Sequence, residues 1–298
     1  MDGPTRSNGG GVSIRGLSVR FAELWAVREL SLEVPPGCLF GLLGPNGAGK
    51  TTTLSATAGL LEPSAGQILV GDVDVTQEPE RVQRMLGVVP QSLALYPTLT
   101  VLDNLQLFAG LFGVRGAAMH ERVEWGLRLA QLENKGRALV GTLSGGMKRR
   151  LNLSCALLHD PSVIICDEPT TGVDPQSRNH IFDTIRSLHA EGRTVVYTTH
   201  YMEEVEALCQ RVAIMDHGKV LVEDELEALL AKAGGAAGTA FRVELDAERS
   251  AGELMERLRD AGLPARVQAE RANLERVFLD LTGRALRDSE APSAAEDA

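Results

Sequence analysis

The sequence has no uncharged apolar run approaching the ~18 residues that a bilayer-spanning helix needs. If the chain serves a membrane process, another chain is expected to supply the path. Cysteine is scarce, with four in 298 residues, which argues against a disulfide-stapled scaffold. Cys38, Cys155, Cys166 and Cys209 lie in apolar contexts without metal-ligand spacing and read as small core residues. Basic residues are outnumbered 30 to 40, for a net charge of −10. General nucleic-acid binding is therefore not expected. Residues 1–11 are rich in Gly and Ser and lack the apolar core of a secretory signal. They read as a disordered lead-in to a cytoplasmic chain. No internal repeat is visible.

What is present is a globular composition, 44% hydrophobic and 23% charged, long enough for one large domain or two ordinary ones. Short continuous apolar runs recur at Cys38–Leu43, Leu86–Val89, Ser162–Cys166, Thr194–Thr198 and Val212–Met215. Strands buried on both faces of a parallel sheet have this character. Helical patterns lie between them, at Lys50–Leu61, Pro175–Ala190 and Tyr201–Cys209. The alternation predicts an α/β fold with right-handed crossovers. Between Gln91 and Leu158 no strand stands out, and the stretch reads as an inserted helical subdomain.

The segment Ala231–Thr239 is Gly/Ala-rich and reads as a linker. Beyond it a small α+β extension over 240–286 is expected, with strands at Ala240–Leu245 and Ala265–Ala269 and a helix at Ser250–Ala261. An amphipathic helix over Asn273–Leu286 places Leu274, Val277, Phe278 and Leu281 on one face. Residues 287–298 are acidic and Pro/Ala-rich, and are expected to be disordered. The main domain is expected over 12–230, with the helical subdomain at about 91–158 of it.

The strongest local signal is Gly44-Pro45-Asn46-Gly47-Ala48-Gly49-Lys50-Thr51-Thr52. It follows an apolar strand and opens a helix, the setting a phosphate-binding loop requires. Glycines let successive N–H groups face inward around phosphate oxygens. The helix N-terminus that follows adds its positive end. Lys50 can reach the β- and γ-phosphates, and the Thr51 hydroxyl can ligate Mg²⁺. A nucleoside triphosphate is the expected ligand.

Val163-Ile164-Ile165-Cys166-Asp167-Glu168 is an apolar strand ending in two carboxylates. Asp167 suits Mg²⁺, which prefers few protein ligands beside water and phosphate. Glu168 is then free to act as general base on the attacking water. His200 follows the strand TVVYTT, at the strand edge where ligands bind in open α/β sheets, within reach of a γ-phosphate. His120, His159, His180, His189 and His217 have no such setting. Leu143-Ser144-Gly145-Gly146-Met147 opens another helix. A Ser and two Gly there make a second anion site. Two such sites suggest two chains head-to-tail, each closing over nucleotide held by the other.

Taken together and in this order, GPNGAGKTT, Gln91, LSGGM, VIICDE, the Asp174 segment and His200 identify the chain as resembling the ATP-binding cassette (ABC) ATPases over roughly residues 12–225. The resemblance implies a P-loop NTPase, RecA-like α/β core with an inserted helical subdomain and antiparallel β elements. It implies a Mg²⁺-dependent ATPase in which two nucleotide-binding subunits sandwich two ATP molecules, a homodimer being expected. Gln91 would sense Mg²⁺ and the γ-phosphate. Ser144, Gly145 and Gly146 would contact the γ-phosphate of the opposite site, and Asp174 would link the two sites. Phe21, placed by its spacing to Ala26-Val27, would stack on adenine. Phe21 stands in place of the commoner Tyr, Val173 of Leu and Met147 of Gln; no chemical group the mechanism needs is lost.

The run Met147-Lys148-Arg149-Arg150, PTTGVDPQSR and the closing LERVFLDLTGRALRD look like the drug, antibiotic and polysaccharide exporter branch, including daunorubicin-resistance-type ATPases. The expected partner is a membrane-embedded permease on a separate chain, docked near Gln91–Phe112. The chain would then sit on the cytoplasmic face of the membrane. For Lys148–Arg150 a solvated helix face and a role in interdomain contacts are equally expected. Alternatives from other classes are an import ATPase and a non-transport ABC ATPase such as an iron–sulfur assembly scaffold. The absence of coiled-coil insertions and of a second cassette disfavours DNA-repair and translation-factor members.

Overall fold

The computed structural model describes residues 10–235, 257, 260 and 274–282. The described residues divide into two units, one running to Leu226 and the other starting at Glu227.

The first unit is built on a six-stranded sheet. In chain order its strands are β3 (Leu39–Leu43), β6 (Leu86–Val89), β7 (Val163–Asp167), β8 (Thr194–Thr199), β9 (Arg211–Asp216) and β10 (Lys219–Glu225). Their spatial order is β10-β9-β3-β8-β7-β6, parallel except for β10. Every residue of β3, β7 and β8 is buried, so both faces are covered and side chains need not alternate in polarity. That is why these strands were legible as apolar runs, with ends differing by one residue.

A four-stranded antiparallel sheet contains β1 (Val12–Phe21), β2 (Leu24–Val34), β4 (Ala65–Val70) and β5 (Val73–Asp74), in the order β2-β1-β4-β5. Its strands bury one face, as in the alternating pattern of β2, and show weaker sequence signals than the central strands. Val12, Ile14, Leu30, Ile68 and Val70 from this sheet join Phe40, Leu42, Val163 and Met215 of the parallel sheet in one core.

The stretch 91–158 is helical as expected: α3 (Val101–Leu111), α4 (Gly116–Ala130) and α5 (Gly145–Cys155), with single 3₁₀ turns at Glu133–Lys135 and Val140–Thr142. These helices enclose their own core, including Val101, Leu105, Val123, Leu151 and Leu158. A reciprocal cap fixes the start of α3: Asp103 N donates to Thr100 Oγ1 at 3.1 Å, and Thr100 N donates to Asp103 Oδ2 at 3.2 Å.

The helix expected over Lys50–Leu61 is shorter. α1 spans Lys50–Thr57 and gives way to Gly59 at φ +67°, leaving Leu60 exposed. α2 (Pro79–Met85) precedes β6; α6 (Pro175–Ala190) and α7 (Met202–Leu208) flank β8. α6 matches its predicted bounds because Asp174 caps it and Pro175 begins it.

The second unit includes most of α8 (Leu226–Gly235) and α9 (Leu274–Thr282). Residues 231–235, read as the start of a linker, are the end of α8. Leu274, Val277 and Phe278 are buried, as the amphipathic pattern predicted, and Leu281 is largely exposed. Residues 257 and 260 are helical, within the expected helix. The two strands expected in the extension, the lead-in before residue 10 and the acidic tail lie outside the described residues. Among the described residues no helix is long and apolar enough to cross a membrane.

Candidate functional site

A cleft of about 1000 Å³ opens at the C-terminal ends of β3, β7 and β8. Asn46, Gly47, Ala48, Gly49, Lys50, Thr51 and Thr52 line its floor. The loop works because of its backbone. Gly49 is the N-cap of α1 at φ +101°, and a Cβ there would stand 2.6 Å from the Ala26 carbonyl oxygen. No side chain caps α1, so its first N–H groups face the cleft with their positive end uncovered. Gly44 and Pro45 serve beneath the floor, accepting from Lys50 Nζ at 2.7 and 3.2 Å through their carbonyls.

Four chain-distant side chains meet over this floor. Lys50 Nζ lies 3.2 Å from Glu168 Oε1. Gln91 Nε2 donates to Glu168 Oε2 at 3.1 Å. His200 Nδ1 lies 3.2 Å from Glu168 Oε2, close enough for Coulombic contact though not aligned as a hydrogen bond. Burial pushes the Glu168 carboxyl up, but Lys50 and His200 outweigh it, and its pKa falls below the ordinary glutamate value. Burial pulls Lys50 below the usual lysine value against the attraction of Glu168. A carboxylate held ionised in a cleft can serve as a base, and a cation partly stripped of water can serve as an electrostatic anchor for phosphate.

Glu168 carries backbone strain. It sits at φ +43°, in the left-handed region, at a cost of about 1–3 kcal/mol for a non-glycine residue. Thr198, which sequence reasoning passed over, holds it there. The parallel register sets Asp167 beside Thr198. Glu168 N donates to the Thr198 carbonyl and to its Oγ1, both at 3.1 Å, and Thr198 Oγ1 donates to Asp167 Oδ1 at 2.6 Å. Asp167 is thereby oriented at the end of β7, buried and just beneath the residues that line the cleft. Nothing in TVVYTT marks one threonine among several; only the strand register selects it.

Phe21 stands half-exposed at one rim of the cleft, beside Leu24 and Trp25. Trp25, under the Arg20 guanidinium at 5.4 Å, adds a second ring surface that was not anticipated. His217, read as ordinary, also lines the cleft.

Ser144, Gly145, Gly146 and Asp174 do not line this cleft. Ser144 caps α5, accepting from Met147 N at 3.3 Å, and Asp174 caps α6, accepting from Ser177 N at 2.9 Å. The two caps abut: a Cβ on Gly146 would stand 2.6 Å from Asp174 Oδ2 and clash harder still with Ser177 Oγ.

The solvated-face reading of Lys148–Arg150 fails for Arg149. It is buried, donating to the carbonyls of Pro90 at 3.2 Å, Gln91 at 2.7 Å and Thr171 at 3.4 Å. α5 is thus tied to the loop that carries Gln91. Lys148 reaches the Gly141 carbonyl and Arg150 the Gln131 amide. The four cysteines are buried free thiols, as expected, and burial pushes Cys166 up to about 12.

Residues 27–171 match the ABC transporter family. The linearmycin resistance ATP-binding protein LnrL of Bacillus subtilis (strain 168) is 38% identical, over 88% of this chain and 95% of its own length. A Nod factor export ATP-binding protein I of Burkholderia lata is 42% identical, over 93% of this chain and 98% of its own. Among solved structures, an ATP-binding subunit of an ABC transporter aligns at TM-score 0.70 and 28% identity, covering 77% of this chain and 95% of that one. A dimeric post-hydrolysis state of the cassette MJ0796, bound to ADP and Pi, aligns at TM-score 0.66 and 27% identity, covering 72% and 98%.

Proposed function

Because the chain belongs to the ATP-binding subunits of the ABC transporter family, an ATPase by that membership, we propose that it powers export through a permease on a separate chain. The observation that carries the reading is the convergence of Lys50, Gln91, Glu168 and His200 on one cleft at the N-terminus of α1. The triphosphate lies along the α1 N–H groups. Glu168 takes a proton from water as its oxygen attacks the γ-phosphorus, and ADP leaves. Lys50 and His200 stabilise charge on the γ-phosphoryl oxygens.

Mg²⁺ fits the oxygen donors present: the Thr51 hydroxyl in the cleft, the Gln91 amide oxygen left over when its nitrogen serves Glu168, and the Asp167 oxygen that Thr198 does not occupy. When bound it supplies charge neutralisation between the phosphates.

Ser144, Gly145, Gly146 and Asp174 stand outside the chain's own cleft, so their role falls on the nucleotide of a second, identical cassette. Export rather than import is supported by the relatives named for resistance and export, matched over nearly their whole length. The permease docks on the cytoplasmic face of the membrane against the segment near Gln91–Phe112. There an apolar cleft of about 290 Å³ is lined by Leu60, Leu86, Val88, Phe108 and Phe112.

The test is purification of the tagged chain from native membranes in mild detergent, with ATP turnover assayed on the product. A stoichiometric polytopic membrane protein is expected. Recovery of soluble partners only, with the chain absent from membranes, would remove the transporter reading and leave the ATPase.

A further inference from the structure

Behind the cleft lies a buried carboxylate that the hydrolysis chemistry described so far does not use. Glu204 belongs to the first turn of α7 and is 3% exposed. A glutamate at the third helical position often folds back onto the N-cap N–H. Here Tyr201 N donates instead to Thr199 Oγ1 at 3.0 Å, and Glu204 points into a cluster of hydroxyls. Thr170 Oγ1 donates to its Oε1 at 2.7 Å. Tyr197 OH and Thr199 Oγ1 donate to its Oε2 at 2.9 and 2.8 Å.

Each hydroxyl belongs to a part of the machinery. Thr170 is two residues beyond Glu168, on the loop that must hold Glu168 at its strained φ. Thr199 immediately precedes His200. Tyr197 anchors the cluster in β8 and is fully buried. Burial first, and the neighbouring Glu204 second, push its phenol well above the ordinary tyrosine value, so it stays a donor. One carboxylate thus fastens the chain just after Glu168 to the chain just before His200. A buried carboxylate is costly unless its lone pairs are filled. Three O–H donors occupy three of its roughly four acceptor positions, which ties the carboxylate to this loop geometry.

We propose that Glu204 is a positioning residue for ATP hydrolysis, holding the Glu168 loop and the His200 turn in register across the γ-phosphate position. The inference rests on the hydrolysis reading above. Glu204 touches neither nucleotide nor water in this scheme and acts through Thr170 and Thr199. A Gln can serve in its place: its amide oxygen accepts from Tyr197 and Thr199 while its nitrogen donates to Thr170, whose proton turns to the Tyr197 oxygen 3.3 Å away. An Ala cannot.

The experiment is steady-state ATP turnover of the full chain, purified with its membrane complex, for the unmodified protein, Glu204→Ala, Glu204→Gln, Thr170→Val and Thr199→Val. Ångström-scale misplacement of a catalytic group costs up to about 100-fold in rate. For Glu204→Ala, kcat is expected to fall at least ~10-fold with KM for ATP within about threefold, and Glu204→Gln is expected to recover most of that loss. Each Val variant cuts one arm and should lower kcat in the same selective way. Undiminished kcat in Glu204→Ala would overturn the proposal. So would parallel loss of kcat, ATP affinity and thermal stability across the Ala and Val variants. If Glu204→Ala does not fold, the Val variants decide by the same split. Absence of turnover in the unmodified complex would overturn the hydrolysis reading itself, and the proposal with it.

Discussion

Lys50 and Glu168 face each other at 3.2 Å, each side chain only 5% exposed. The cation that the proposed scheme assigns to phosphate and the carboxylate that it assigns to water satisfy each other. On that scheme an entering triphosphate would draw Lys50 toward its own oxygens and loosen one of the contacts on Glu168. The scheme thus links occupancy of the phosphate loop to the freedom of the base through the Lys50–Glu168 ion pair.

Glu168→Gln removes the base while keeping its shape. Loss of a general base costs about 10²–10⁴-fold in rate, so phosphate release should drop by at least ~100-fold. ATP binding should persist, and the two cassettes should stay closed around it. Phosphate-release kinetics and size-exclusion chromatography with ATP check both. Undiminished turnover would remove Glu168 from its assigned role.

The pKa of Glu168 is lowered on folding, with Lys50 and His200 prevailing over burial. A depressed carboxyl contributes stability that is complete above the unfolded glutamate value, about 4.3, and lost as pH falls through the lower folded value. The stability difference between the unmodified chain and Glu168→Gln should therefore shrink as pH falls below about 4. Urea denaturation at several pH values measures it. A difference that keeps growing below about pH 4 would contradict the sign.

Thr198→Val deletes the hydroxyl that orients Asp167 and accepts from Glu168 N. The carbonyl bond to Glu168 N survives, so folding should be preserved at a cost of about 1–3 kcal/mol. Turnover should fall and the Mg²⁺ concentration for half-maximal activity should rise, because Asp167 loses its fixed geometry. A Mg²⁺ titration of ATPase activity distinguishes this from simple destabilisation.

Gly146→Ala forces a Cβ against Asp174 and Ser177 at the junction of two helix caps. ATP binding to one cassette should be retained, since neither cap lines its cleft, while ATP-dependent pairing and turnover should be lost. Nucleotide affinity by calorimetry, set beside light scattering, separates the two effects.

Trp25 lines the nucleotide cleft, whereas the other tryptophan, Trp125, lies against Arg122 at 4.3 Å. In a Trp125→Phe background, ATP should change Trp25 emission. Phe21→Ala should weaken ATP binding by about 2- to 10-fold, the value of one aromatic stack. Fluorescence titration gives both readings, and an affinity unchanged in Phe21→Ala would displace Phe21 from the adenine site.

The sequence by itself determined whatever depends on neighbouring residues. The phosphate loop could be read because a glycine-rich turn between strand and helix is a local backbone requirement. Asp167–Glu168 and His200 could be read because each ends a strand with no polar residue before it or with a recognisable β-rich run. The boundaries of α6 were visible in Asp174 and Pro175. The tertiary structure decided what depends on partners distant in the chain. Only packing of α5 buries Arg149 among carbonyls, while Lys148 and Arg150 beside it stay half-buried. Only the register of β7 with β8 chooses Thr198 as the clamp on Glu168. Only the seating of α7 turns Glu204, one of two adjacent glutamates, into a buried hub. And only the fold places Ser144–Gly146 and Asp174 outside the chain's own cleft. For Glu203 and Glu204, adjacent residues of like chemistry take opposite environments, a difference fixed by which face a neighbouring element covers.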